Sequence, residues 1–270
     1  MTSVPAVTQT QHASSAEAAS RIAQVRAAIA TVRDPEIDET VEALQFIVDV
    51  DVTGDLVTVS FRLPTFWCPA NFVYLMAGEM RRAVVALPWV KEFRLRLVDH
   101  FAADEINRAI GEGLSFSEAF PGQATRNLDE LRRTFDRKAF LMRQSALVSL
   151  LRRRGWSDEI IAYATAAQVA GRVTGDDELA AAWSAYRQKW EMLDFPPQPD
   201  ARIVVNLEGR PITAGDLVSH LRQTRRLTNS ASANGEMCRI LMEARRSGSG
   251  CGAAHVGNSV GGPSSKTGST

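Results

Sequence analysis

A chain of 270 residues, 45% hydrophobic and 23% charged, carries enough apolar material for one large domain or two small ones and is not composed like a disordered protein. Its 31 Lys and Arg balance 31 Asp and Glu, and a net charge of zero argues against a generally basic nucleic-acid binder. No run approaches the ~20 continuous apolar residues of a membrane span, and the opening MTSVPAVTQTQHASSAEAAS lacks a basic segment followed by an apolar one, so residues 1–15 read as a flexible leader and not an export signal.

In chain order, Ile22, Val25, Ile29 and Val32 recur at spacings of three and four, which predicts an amphipathic helix. Asp34-Pro35 ends it, because proline disfavours helical geometry in the residue before it. Phe46, Val48, Val50 and Val52 alternate, Thr53-Gly54-Asp55 turns, and Val57, Val59, Phe61 and Leu63 alternate again, which predicts a β-hairpin. After Pro69, the residues Phe72, Leu75, Met76, Met80, Ala83 and Leu87 follow helical spacing until Pro88. Phe93, Leu95 and Leu97, with Arg94 and Arg96 opposite them, form a third strand. This α-β-β-α-β order predicts an α+β fold, a small two-layer domain over residues 16–101.

From residue 102 to 195 the period stays helical, which predicts an extension of helices over 104–111, 126–155, 157–171 and a stretch striped by Trp183, Tyr186, Trp190 and Leu193. Ser157 is placed to cap the third of these and Thr213 a later one. Residues 196–246 read as linker, a short apolar strand at RIVVNLEG, a helix from Thr213 to about Leu227 and a last helix at GEMCRILMEARR. The Gly/Ser-rich residues 247–270 read as a disordered tail.

Few residues offer chemistry. Three cysteines, Cys68, Cys238 and Cys251, cannot all pair with one another, and without an export signal the reducing cytoplasm and free thiols are expected. Cys68 ends a strand and precedes a helix, where orphan N–H groups and the helix dipole favour the thiolate, the form that binds metal or attacks an electrophile. The competing reading is a half-buried small hydrophobe. Asp34 and Glu36 offer oxygen ligands or proton handling, or Asp34 simply organises the turn before Pro35. Cys238, beside Met237 and Ile240, reads as packing, and Cys251-x-x-x-His255 as chance. No Gly-rich phosphate loop, paired-cysteine zinc spacing or HExxH is present, and no catalytic residue is assigned. The basic residues from Arg132 to Arg154 are interleaved with Asp129, Glu130 and Asp136, the pattern of a solvated helix face.

Together, the helix, DPEI, the hairpin and the T-x-x-C-P of RLPTFWCPANF resemble the iron–sulfur cluster assembly (SUF-associated) domain family over roughly residues 20–100, and LPTFWCPA is most similar to its PaaD-like branch. The resemblance implies that Asp34, Pro35 and Glu36 form the family's acidic turn, that Thr65 and Cys68 form its T…CP element, and that Cys68 is the cluster or metal ligand. The PaaD-like pattern of further cysteines towards the C-terminus is missing here, with no cysteine between Cys68 and Cys238, so no second metal site of that type is expected.

The resemblance implies a cytoplasmic assembly or maturation factor, not a catalyst. Its cofactor would be a labile iron–sulfur cluster or iron. One thiolate cannot fill the usual four positions of a cluster, so two copies of Cys68 in a homodimer, a client, a small thiol or Asp34 would supply the rest. The implied partner is an apo-metalloprotein client, and the PaaD-like branch points to an oxygenase or reductase subunit. No membrane and no nucleic acid are expected. Competing readings are a cluster-free adaptor or assembly chaperone, and a thiol-dependent enzyme using Cys68 as nucleophile.

Overall fold

The structure is a computed structural model and describes residues 7–122 and 128–247. The expected tail beyond residue 247, with Cys251 and His255, lies outside the described residues.

Helix α1 (Val7–Ile29) buries Val25 and Ile29 and ends before the Asp34 turn. Strands β1 (Ile47–Thr53) and β2 (Leu56–Arg62) form the expected antiparallel hairpin around Gly54, whose φ of 65° suits glycine. Helix α2 (Ala70–Val85) then crosses to β3 (Glu92–Val98), which pairs parallel to β2, giving the order β1-β2-β3. Val57, Val59 and Phe61 of β2 are fully buried against the helices, while Arg94 and Arg96 of β3 face outward. One alternation fails. Val48 is half exposed, because the register slips between Ile47 and Asp49 and leaves Val48 as the extra residue of a bulge.

Helix α3 (Ala103–Glu112) covers the free side of β3. Its Asn107 accepts from the Leu97 N–H at 2.7 Å and donates to the Leu97 carbonyl at 3.1 Å, so one side chain occupies part of the sheet edge. The short helix α4 (Phe116–Ala119), started by a Ser115/Glu118 capping box, completes this first core with Phe116, Ala119 and Phe120.

A second core lies among α5 (Leu128–Arg153), α6 (Asp158–Tyr163), α7 (Ala166–Ala170), α8 (Asp177–Trp190) and α9 (Ala214–Arg246). Trp183, Tyr186 and Trp190 are buried here, as their spacing predicts. Buried Gln144 donates to the Tyr186 hydroxyl and to the Val205 carbonyl, and accepts from His220 Nε2 at 2.7 Å. Both ends of the Gln144 amide are thereby partnered, as a low-dielectric core favours, whereas Trp190 Nε1 in the same core has no partner among the described residues.

Three helical stretches depart from expectation, the first being α1, which begins at Val7 inside the residues read as a flexible leader. The stretch 157–171 is split into α6 and α7, because Thr165 takes extended geometry and forms its own capping box with Gln168. The two helices expected over 213–246 are one, since nothing between Leu227 and Gly235 is a proline and Gly235 alone does not break a helix supported on both sides. Ser157 and Thr213 cap α6 and α9 as predicted. The expected strand at RIVVNLEG contributes only isolated bridges, Thr165 with Arg202 and Val205 with Pro211.

The basic row of α5 is largely matched within the molecule: Arg132 to Glu79, Arg137 to Glu208, Arg152 to Asp158, Arg153 to Glu178, and Arg154 to Asp176 and Glu178. Arg143 differs in being buried. Its guanidinium takes both oxygens of Asp38, each at 2.7 Å, and also reaches the Ala185 carbonyl and Gln188. Losing one partner of such a pair strands a buried charge. Arg143→Met is expected to lower stability by about 3–5 kcal/mol, with a large part recovered in the Arg143→Met, Asp38→Asn double variant. Guanidinium denaturation checks this, and a single-variant cost near zero would show that the pair is dispensable.

Candidate functional site

The acidic turn forms because Asp34 acts as its own template. Its Oδ1 accepts from the N–H groups of Glu36 and Ile37, both at 2.9 Å, while its backbone pairs with Glu39 and Asp38. Asp38 takes a left-handed φ of 59°, which a short polar side chain tolerates, and Arg33 reaches its carbonyl. Asp34 is 8% exposed. Burial pushes its carboxyl above the usual range, and the two N–H bonds oppose that shift without cancelling it.

The Cys68 loop leaves β2 through Leu63 and Pro64 and enters α2 at Pro69, which occupies the N-cap and not the first helical turn. The T-x-x-C spacing brings the Thr65 hydroxyl to 3.2 Å from the Cys68 sulfur. Cys68 itself is half-buried. Beside it, Phe66, Trp67 and Phe101 form an exposed aromatic row, with Trp67 stacked on Phe101 at 5.9 Å and 74% exposed.

A histidine does approach the loop. His100 Nε2 donates to the Cys68 carbonyl at 2.8 Å while Nδ1 accepts from the Ala102 N–H. Burial lowers its pKa, and the neutral ring with its proton on Nε2 satisfies both bonds. With both nitrogens engaged on the backbone, His100 positions the loop and is not aimed at the thiol as a base.

The turn and the loop meet across one open cavity of about 190 Å³, whose walls include Asp34, Glu36, Cys68, Phe72 and Met76. Its third wall was not expected. Asn234, Met237 and Cys238 of α9 face into the same space, at the i, i+3, i+4 spacing of one helix face. Cys238 is a half-buried free thiol that packs against the first core, as its sequence neighbours suggest, and also lines this cavity, while Met237 and Ile240 beside it are exposed. Burial pushes the Cys238 thiol up to about 11, and the charges of Asp34 and Cys68 add to the shift. Thr65 touches the sulfur of Cys68 without lining the cavity.

Among the described residues no three His, Cys, Asp or Glu side chains converge into a group that could hold a metal ion. Iron or a cluster bound at these thiols would therefore take part of its coordination from outside the chain. No helix among the described residues is long and apolar enough to cross a membrane.

Comparison with known proteins bears on this site. Residues 22–93 match the family model described as iron-sulfur cluster assembly protein, a span that runs from α1 through the Asp34 turn and the Cys68 loop to the start of β3. This segment is thus similar to an iron–sulfur cluster assembly domain, and the match supports a role in iron–sulfur cluster assembly. No curated protein and no solved structure matches the chain.

Asp34→Asn keeps the Oδ1 acceptor and removes the buried charge, so at neutral pH its melting temperature is expected to equal or exceed wild type. Asp34→Ala loses both turn bonds and about 1–3 kcal/mol. Because folding raises this carboxyl's pKa, its penalty is full when ionised, fades as pH falls through the folded-state value and vanishes below the ordinary Asp value near ~3.9. The gap between Asp34→Asn and wild type should close on acidification in thermal melts. A gap that widens instead would show a stabilising charge at Asp34.

His100 has the opposite linkage. Its lowered pKa favours the fold above about 6.5, the unperturbed value, and that contribution is lost as pH falls. Wild type should therefore lose more stability than His100→Gln between neutral and mildly acidic pH. Equal losses would show that His100 does not titrate on unfolding.

Proposed function

We propose that this protein is a cytoplasmic maturation factor that carries iron or an iron–sulfur cluster to an apo-metalloprotein, with Cys68 as the open thiol ligand. The observation that supports this reading most is the place of Cys68. It stands half-buried on the wall of a solvent-open cavity, inside the segment that matches the assembly family. A thiol so placed can accept soft cargo and release it, because the chain itself does not close the coordination sphere. Asp34 and Glu36 line the same cavity from the turn. The Phe66, Trp67 and Phe101 row, exposed beside the thiol, provides apolar area for a client to cover during transfer. The similarity of LPTFWCPA to the PaaD-like branch supports a multicomponent iron-dependent oxygenase or its reductase as the client class.

The same aromatic row suits a second reading, a cluster-free adaptor that only binds apo-clients. A nucleophilic enzyme is less well supported, since the nearest histidine holds the Cys68 carbonyl and not its sulfur.

Cys68→Ser separates the carrier from the adaptor. The variant should fold, lose uptake in anaerobic reconstitution with iron and sulfide, and mature client poorly, because a hydroxyl is a much weaker ligand for cluster iron than a thiolate. Iron content, sulfide content and client activity are the readouts. A Cys68→Ser protein that matures client as well as wild type would sink the carrier reading and leave the adaptor.

A further inference from the structure

The long helix α9 does more than pack. It begins in the second core with Leu217 and Leu221 and reaches the first core with Met242, which is 2% exposed. Between these anchors it is pressed against the acidic turn. A Cβ on Gly235 would stand 2.6 Å from Glu39 Oε1 and 3.2 Å from Ile37 Cγ2, so glycine permits the approach. One turn on, Arg239 pairs with Glu39. Further along, Arg245 donates to the Leu63 carbonyl at 2.9 Å and pairs with Asp99 at 3.0 Å, tying the helix to the loop that carries Cys68. Cys238 lies between these fixed points and faces the cavity that Cys68 lines.

We propose that Cys238 is a second thiol ligand for the cargo received at Cys68, so that one chain offers iron two sulfurs from opposite walls of the same cavity. This rests on the carrier reading above and deepens it. Two thiols on separate, well-anchored elements line one solvent-open cavity together with Asp34 and Glu36, and would supply two of the four ligands that a soft or borderline divalent metal takes. A client, a small thiol or sulfide fills the other half. The arrangement makes a second copy of Cys68 unnecessary: cargo is bound one per chain.

Cobalt(II) is the probe, titrated anaerobically into full-length protein carrying Cys251→Ala, which removes the third thiol. One cobalt per chain is expected, with thiolate-to-cobalt charge-transfer absorption that falls about twofold in Cys238→Ala while circular dichroism and melting temperature stay close to the parent. An unchanged band in Cys238→Ala, or one cobalt per two chains, overturns the inference. If Cys68→Ala then abolishes the band, the carrier reading survives without it. A full band in Cys68→Ala would instead overturn the carrier reading itself. A second measurement needs no change at Cys238. Phenylarsine oxide condenses with two neighbouring thiols, forming two As–S bonds and releasing water without any redox change. In the Cys251→Ala protein it should protect Cys68 and Cys238 together from alkylation, one adduct per chain by mass. Protection of neither, or of one thiol alone, counts against the pair.

Discussion

Both oxygens of Asp38 are taken by the Arg143 guanidinium, and the rest of the architecture is arranged around that contact. Asp38 belongs to the turn that Asp34 organises, whereas Arg143 comes from α5 and also binds the end of α8. This buried ion pair is therefore one of the ties between the matched segment and the helical extension, beside Arg132 to Glu79 and Arg239 to Glu39. Because the pair is shielded from water, neither half can let go without leaving a charge uncompensated. The turn is held from below by α5 and from the side by α9, through Gly235 and Arg239. Its geometry reflects the whole molecule and not only the local Asp-Pro-Glu.

The cavity inherits this dependence. One wall is the turn, one is the loop after β2, and one is a helix whose first half is rooted in a different core. The loop is steadied by His100 through the Cys68 carbonyl and by Arg245 through the Leu63 carbonyl, so its backbone is fixed while its thiol stays accessible. A fixed backbone with a reachable side chain would suit the transfer role proposed above, since the ligand would need little reorganisation.

Much of this was legible in the sequence wherever the signal was local. Alternation gave the hairpin, and polar residues ahead of apolar runs marked the caps at Ser157 and Thr213. Asp34 before Pro35 announced its turn, and the spacing of Thr65 and Cys68 brought oxygen and sulfur together. What escaped was set by tertiary contact. The bulge at Val48 obeys strand pairing and not alternation, and Thr165 splits a helix whose apolar period runs on without a break. His100 reaches the Cys68 carbonyl, and Cys238 the cavity that Cys68 lines, from elements distant in sequence, and no periodicity in a single sequence encodes such meetings. An exposed Met237 and Ile240 around a thiol carry the same hydropathy as buried ones, so apolar neighbours could not reveal that Cys238 faces a cavity.

The course of α9 also sets the order in which the molecule becomes complete. On a ribosome the turn, the sheet and the Cys68 loop emerge early and can settle into their own core. The wall that carries Asn234, Met237 and Cys238 is synthesised only after both cores have their other helices. Until then the Cys68 side of the cavity faces bulk solvent. A nascent chain thus presents Cys68 without its α9 wall, and a carrier of the kind proposed above would be complete only once its last helix has docked.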